Sequence, residues 1–161
     1  MQTVSGKYVL LGGKDLFGRL KESWGQIVQH IERFKTADLF LISTPMWNYN
    51  IPYMLKHYID LIVQPRYLFA YNEKGQAVGL VQNKKMVVIT SSGGQYAGKT
   101  EQLNFVEPYL KAIFGLVGIT DISFIKAEGM DMGLEKQKQH LESAKTAATE
   151  LAMSICQETS Q

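Results

Sequence analysis

Apolar residues follow two patterns along this chain, and the two patterns alternate. Continuous or nearly continuous apolar runs occupy residues 39–42, 86–90 and 122–125, and such runs are typical of parallel strands buried on both faces. Around them, apolar residues recur every three or four positions over residues 20–36, 53–64, 102–117 and 134–155, which predicts amphipathic helices. The alternation of strands and helices predicts a doubly wound α/β fold with a parallel sheet.

The helical periodicity also predicts which side chains point inward. The first helix is expected to bury one apolar face, formed by Leu20, Trp24, Ile27, Ile31 and Phe34. The last helix is expected to turn its own apolar positions inward, namely Leu141, Ala144, Ala148, Leu151 and Ile155. By the same argument, His30 and His140 are expected on exposed helix faces.

A β-hairpin is predicted between the second helix and the second strand. Residues 67–71 and 77–81 flank Asn72-Glu73-Lys74-Gly75, a turn sequence with a glycine at its end. The sequence contains no internal repeat, low-complexity tract or linker. We therefore expect residues 1–161 to form one domain.

Two loops that follow predicted strands carry the candidate chemistry. The first, residues 45–51, contains two aromatics and two asparagines, and the second, residues 91–96, contains a pair of glycines. Ligands of open α/β sheets bind outside the carboxyl ends of the strands, so the two loops could line a slot for a planar heterocycle. A structural role, with the aromatics plugging a core and the glycines making a turn, is an equally open interpretation.

Composition excludes several classes of protein. The net charge is +2, with Lys and Arg dispersed, which gives no case for a nucleic-acid or membrane partner. No segment approaches the roughly 20 apolar residues of a membrane span. A single cysteine rules out an internal disulfide and fits a reducing compartment, so we expect a cytoplasmic protein. The histidines and acids lack metal-ligand spacing, and no metal is predicted.

Specific motifs add a family resemblance. Pro45-Met46-Trp47-Asn48-Tyr49-Asn50-Ile51-Pro52, followed by Leu55-Lys56-His57-Tyr58-Ile59-Asp60, resembles the FMN-dependent NADH-azoreductase and quinone-reductase family of flavodoxin-like proteins. Segments similar to that family continue in the same order, at residues 79–81, 84–85, 90–94, 114–120 and 127–129. The resemblance covers nearly the whole chain and implies a flavodoxin-like sheet with a small β-hairpin insertion.

The resemblance also implies a function and a site. Hydride would pass from NAD(P)H to FMN and then to a quinone or azo compound, with no catalytic side chain, in a homodimer or higher homo-oligomer. The residues implied in FMN binding are Pro45, Met46, Trp47, Asn48, Tyr49, Ser91, Ser92, Gly93 and Gly94. Phe69, Tyr71 and Tyr96 are candidates for the substrate wall, although Phe69 and Tyr71 suit ordinary hairpin packing equally well.

Two departures from the family pattern change what we expect of the fold and of FMN binding. Ser92 stands where much of the family has an Arg. Residues 1–19 also show no strand followed by a Ser-rich loop and a helix, which is where the family clasps the FMN phosphate at a helix N-terminus. We therefore expect an N-terminally truncated fold whose first βαβ unit is missing. Losing about three charge-assisted hydrogen bonds would weaken FMN binding by roughly 10³-fold, leaving it weak or absent.

The same departure affects the sheet and the choice of function. Without a first strand, residues 39–42 would form an unpaired apolar edge that invites pairing with a second copy. The main hypothesis is an FMN-dependent oxidoreductase impaired by loss of the phosphate loop. The alternative is a truncated, non-catalytic flavodoxin-like scaffold that acts as a self-associating or partner-binding module.

Overall fold

The computed structural model describes Val9 and residues 17–158, which form two compact units. One unit contains the described residues up to Phe40, with residues 53–86 and 109–122, and the other contains residues 41–52, 87–108 and the described residues from 123 onward. The expectation of a single domain stays a prediction. The expectation that the front of the fold is missing concerns residues that lie almost entirely outside the described part.

The described elements alternate as the sequence predicts. Their order is α1 (Gly18–Lys35), β1 (Leu39–Pro45), α2 (Tyr53–Ile62), β2 (Phe69–Tyr71), β3 (Ala77–Gly79), β4 (Lys85–Ser91), a 3-10 helix (Gly98–Leu103), α3 (Val106–Val117), β5 (Asp121–Ala127) and α4 (Leu134–Glu158). β1, β4 and β5 form a parallel sheet in the order β1-β4-β5. β2 and β3 form a separate antiparallel pair.

The inward face of α1 agrees with its apolar periodicity. Trp24, Ile27, Ile31 and Phe34 are all buried. The Phe34 ring stacks on the Phe40 ring at a centroid distance of 4.3 Å and on the Phe114 ring at 6.3 Å. These aromatic contacts join α1 to the start of β1 and to α3 within the first unit, and they add to the apolar area that its core buries.

The predicted hairpin is present, with shorter strands than expected. Phe69 pairs with Gly79 and Tyr71 pairs with Ala77. The Asn72 Oδ1 accepts hydrogen bonds from the backbone N–H groups of Lys74 and Gln76, at 3.0 and 2.9 Å. Because the asparagine side chain takes the place of a backbone acceptor, it fixes the turn that the sequence predicted.

The expectation that β1 is buried on both faces is wrong. β1 is the edge strand of its sheet within the described residues, and Leu41 is 68% exposed while Leu39 is also exposed. Phe40 is half-buried and packs against Phe34. An apolar run is buried on both faces only where other elements cover both, and here the face that carries Leu39 and Leu41 stays open to solvent.

The core of the second unit lies between the sheet and α4. Four buried residues form it, Val87, Ile125, Ala127 and Ala144, and several half-buried residues of α4 pack against it, including Ala148, Leu151 and Ile155. Leu141 does not join them, because it is 40% exposed. The first turns of α4 direct the half-buried His140 inward instead, so the predictions for Leu141 and for His140 are both wrong.

The helix predicted over residues 102–117 is two elements. A 3-10 helix ends at Leu103, and α3 begins only at Val106. Between them, the Asn104 Oδ1 accepts hydrogen bonds from the backbone N–H groups of Val106 and Glu107, at 3.1 and 3.4 Å. Asparagine is a strong N-cap because its side-chain oxygen binds the unpaired amides of the first turn, so it sets the start of α3.

We expect Asn104→Ala to lower the free energy of unfolding by about 1 kcal/mol, the usual loss for a helix N-cap. Asn104→Asp should keep most of that stability, because a carboxylate oxygen can accept the same bonds and favours a helix N-terminus. Urea unfolding followed by circular dichroism compares the two variants. Equal stability of the Ala and Asp variants would contradict the capping role.

Candidate functional site

The loop of residues 45–52, called here the aromatic loop, contains a tight two-residue turn. Trp47 and Asn50 exchange two backbone hydrogen bonds, of 2.8 and 3.0 Å. The residues between them, Asn48 and Tyr49, have φ angles of 48° and 69°. Both are therefore left-handed, as a type I′ turn requires. A tyrosine in this region costs roughly 1–2 kcal/mol, and such strain concentrates at functional sites.

The structure brings the two predicted site loops together. The Met46 N–H donates to the carbonyl of Ser91 at 2.7 Å. The Tyr49 ring meets the Tyr96 ring edge-on at a centroid distance of 5.9 Å. The Tyr49 carbonyl accepts a bond from the Phe105 N–H at 2.9 Å, which also fixes the turn. The aromatic loop thus lies against the loop that follows β4.

The loop after β4, residues 91–95, is called the β4 loop. Three of its backbone carbonyls accept hydrogen bonds from a neighbouring loop. The carbonyls at Ser92, Gly93 and Gly94 accept bonds from three backbone N–H groups of the loop that follows β5, at 2.9, 3.0 and 3.0 Å. This loop, residues 128–132, is called the β5 loop. In the described part of the chain, the N–H groups of Gly93 and Gly94 have no hydrogen-bond partner. The β4 loop therefore offers backbone donors to a ligand.

Ser92 contributes to the shape of the β4 loop. It is buried, its Oγ donates to the carbonyl of Gly94 at 2.9 Å, and its N–H donates to the carbonyl of Ala127 at 3.1 Å. A longer Arg at this position could reach outward, whereas this serine satisfies its hydroxyl inside the loop. The hydroxyl oxygen can still accept a hydrogen bond from a ligand, whereas the backbone N–H and carbonyl of Ser92 are both paired within the protein.

Asp131 of the β5 loop lies directly against Gly93. A Cβ added at Gly93 would collide with the Asp131 carboxylate in its present position, so a larger residue there would require this exposed side chain to move. The side chain of Asp131 is exposed, and its backbone N–H is the group that donates to the Gly93 carbonyl.

A small, shallow cleft lies beside the two loops, within the second unit. Its lining is Met46, Thr90, Ser91, Ser92, Asn104, Val106, Glu107, Phe124, Lys126 and Glu128. The Lys126 Nζ lies 2.6 Å from a Glu107 carboxylate oxygen. This ion pair fixes two of the polar side chains on the cleft wall.

The chain is similar to known proteins over most of its length. A flavodoxin-like fold family profile matches residues 11–152. A relative from Aeromonas salmonicida, named FMN-dependent NADH:quinone oxidoreductase, is 40% identical over 144 residues, or 89% of this chain and 72% of that protein. A relative from Trichormus variabilis, named FMN-dependent NADH:quinone oxidoreductase 1, is 44% identical over 117 residues, or 73% of this chain and 55% of its own length.

The chain belongs to the flavodoxin-like family of these oxidoreductases.

Solved structures support the same assignment. An FMN-dependent NADH-azoreductase from Bacillus anthracis, solved in complex with FMN, superposes with a TM-score of 0.77 at 30% identity, over 94% of this chain and 73% of that one. Another azoreductase from Bacillus anthracis has a TM-score of 0.83 at 24% identity and shows the shared fold. The predicted flavodoxin-like α/β fold and the predicted family are both confirmed.

The chain spans 72% of the length of the Aeromonas salmonicida relative and 55% of the length of the Trichormus variabilis relative. Among the described residues, no group of histidine, cysteine or acidic side chains could hold a metal ion. The described helices also include none long and apolar enough to cross a membrane.

Phe69 and Tyr71 lie on the hairpin of the first unit. Phe69 is buried, Tyr71 is exposed, and their rings meet edge-on at 5.8 Å, which is ordinary packing for a hairpin. Their role as a substrate wall stays a prediction. The third predicted wall residue, Tyr96, lies against the aromatic loop within the second unit.

Sequence analysis missed three residues that shape the site: Asn104, Asp131 and His140. Asn104 had a detectable signal, because an asparagine two residues before an apolar helical run suits an N-cap. Asp131 and His140 gave no periodic or motif signal. Their positions depend on how the β5 loop folds back on the β4 loop.

Because Tyr49 is strained, we expect its Gly variant to be more stable than its Ala variant, the reverse of the order at a helical position. Tyr49→Gly and Tyr49→Ala lose the same ring contact, but only glycine relieves the left-handed φ, so the Gly variant should be more stable by about 1 kcal/mol. At Tyr53, which lies in α2, the Ala variant should be the more stable one. Thermal unfolding of the four variants measures both differences, and the same order at both positions would contradict strain at Tyr49.

Proposed function

We propose that this chain is an FMN-dependent oxidoreductase that transfers hydride from NAD(P)H to quinones or azo compounds. The observation that carries the proposal is the pairing of the aromatic loop with a β4 loop whose N–H groups at Gly93 and Gly94 point to no partner in the described chain. The names of the related enzymes support the same chemistry.

The residues present fit a flavin ring. Trp47 and Tyr49 are 54% and 46% exposed, so their aromatic faces are available to a planar ligand. The N–H groups of Gly93 and Gly94 can donate to the carbonyl oxygens at the polar edge of such a ring, and the lack of side chains lets the ring come close. Met46, Asn48 and Pro45 complete the first loop.

FMN, when bound, would supply the two-electron redox chemistry. The protein's own part is then to bind, to orient and to exclude water. The aromatic loop would shield one side of the ring, and Tyr96 would extend this apolar wall toward the substrate. None of the proposed site residues needs to act as a strong acid or base.

A homodimer is also part of the proposal. The second unit exposes several large apolar side chains, namely Leu41, Trp47, Tyr49, Phe105, Met132, Leu134, Leu141 and Met153. Such side chains can contribute to an interface with another protein surface, and a second copy is the partner that the family resemblance implies. A cytoplasmic location is likewise a proposal.

The cofactor is tested by titrating the purified chain with FMN while following flavin fluorescence. We expect saturable quenching, and we expect Trp47→Ala to raise the dissociation constant about tenfold, since stacking on an aromatic side chain is worth roughly 1–3 kcal/mol. Met54→Ala is the control, because Met54 is an exposed apolar residue of α2, outside the proposed site.

The activity is tested with NADH and a quinone in the presence of added FMN. Oxidation of NADH that depends on both FMN and the quinone would support the proposal. No FMN binding by the wild-type chain at high micromolar concentration would overturn it and would favour the alternative of a non-catalytic scaffold.

The assembly is tested by size-exclusion chromatography with light scattering. We expect a mass of twice the 18.1 kDa monomer, or a higher multiple. A monodisperse monomer over the whole concentration range would contradict the homodimer.

A further inference from the structure

His140 connects α4 to the β4 loop and to the β5 loop. Its Nδ1 lies 2.8 Å from the carbonyl oxygen of Glu128, in the β5 loop. Its Nε2 lies 3.4 Å from the Nε2 of Gln95, in the β4 loop. The half-buried imidazole therefore contacts both of the loops that are joined by the three backbone hydrogen bonds described above.

The chemistry of the ring fixes the direction of these contacts. A carbonyl oxygen only accepts, so the His140 Nδ1 must carry a hydrogen and donate to Glu128. In the neutral ring, Nε2 is then an acceptor, and the Gln95 amide group donates to it. The two contacts are therefore compatible with each other, and they set a single tautomer for the neutral imidazole.

The β5 loop has a local shape that admits this ring. Gly129 has a φ of 72°, and a Cβ built on it would lie 2.7 Å from the His140 Nδ1. Any side chain at this position would push the imidazole away from the Glu128 carbonyl. The same Gly129 donates its N–H to the carbonyl of Gly94 at 3.0 Å. The imidazole therefore lies next to a residue that takes part in the hydrogen bonds between the two loops.

We propose that His140 is a positioning residue of the candidate site, holding the β4 and β5 loops in the arrangement that leaves the N–H groups of Gly93 and Gly94 open to a ligand. The part of this inference that concerns FMN rests on the proposed function. The part that concerns the loops rests on the contacts of His140 alone. His140 touches no reacting atom, and its effect on a ligand passes through the β4 loop.

Hydrogen exchange of the flavin-free chain tests the loop arrangement directly. The readout is the exchange of the three N–H groups of the β5 loop that bind the β4 loop, at Gly129, Met130 and Asp131, relative to Val88 in the buried part of β4. We expect His140→Ala to speed their exchange about five- to tenfold relative to Val88, as for loss of roughly one hydrogen bond.

Two further variants separate positioning from a general loss of stability. His140→Asn should restore most of the protection, because an asparagine Nδ2 can donate to the Glu128 carbonyl in place of Nδ1. His30→Ala is the matched control, since His30 is exposed on α1, and it should leave the exchange unchanged. Unchanged exchange of the three amides in His140→Ala would overturn the proposal.

Should His140→Ala fail to fold, Gln95→Ala decides the question. Gln95 is exposed, so its truncation leaves the core intact while it removes one of the two ring contacts. We expect faster exchange at the same three amides, and wild-type exchange in this variant would overturn the proposal.

Flavin binding supplies the second readout. If the wild-type chain binds FMN, His140→Ala should weaken binding by a factor similar to its effect on exchange, whereas His30→Ala should not. An unchanged FMN dissociation constant alongside faster exchange would overturn the link to the ligand. If the wild-type chain binds no FMN, the proposed function fails, and the exchange measurement still decides the role of His140.

Discussion

The three backbone hydrogen bonds between the β4 and β5 loops are the interaction on which the candidate site depends. They occupy the carbonyls of Ser92, Gly93 and Gly94 and so determine which side of the β4 loop faces a ligand. With these three carbonyls paired, the N–H groups of Gly93 and Gly94 remain without a hydrogen-bond partner in the described chain. A site that must bind the carbonyl edge of a flat heterocycle needs such donors, and the backbone supplies them without a charged side chain.

Glycines occupy two points where a side chain closely approaches the backbone of these loops. Asp131 lies against Gly93, and His140 lies against Gly129. The aromatic loop shows the opposite case, since Tyr49 keeps a left-handed φ that glycine would adopt more easily. A tyrosine that stays at such a position gives up stability to place an aromatic ring beside Tyr96 and the β4 loop, as expected for a binding loop.

Most of the fold could be predicted from the sequence, because strands and helices have different apolar periods. The pattern located β4, β5, α1 and α2 and the hairpin, and the Asn72–Gly75 turn chemistry agreed with the structure. Several predictions failed, including the burial of Leu141 and the exposure of His140. The start of α3 was placed too early because a local cap at Asn104 overrides the apolar period. The burial of β1 was overestimated because burial depends on which elements cover a strand.

The sequence by itself determined the local elements, the family and the two loops of the site, since each depends on residues that are close together in the chain. Tertiary structure alone decided how those loops meet. The contacts of Met46 with Ser91, Tyr49 with Tyr96 and His140 with Glu128 join residues that are 12 or more positions apart. No periodicity or turn motif encodes such a contact, because it follows from where the sheet and α4 bring separate segments together in space.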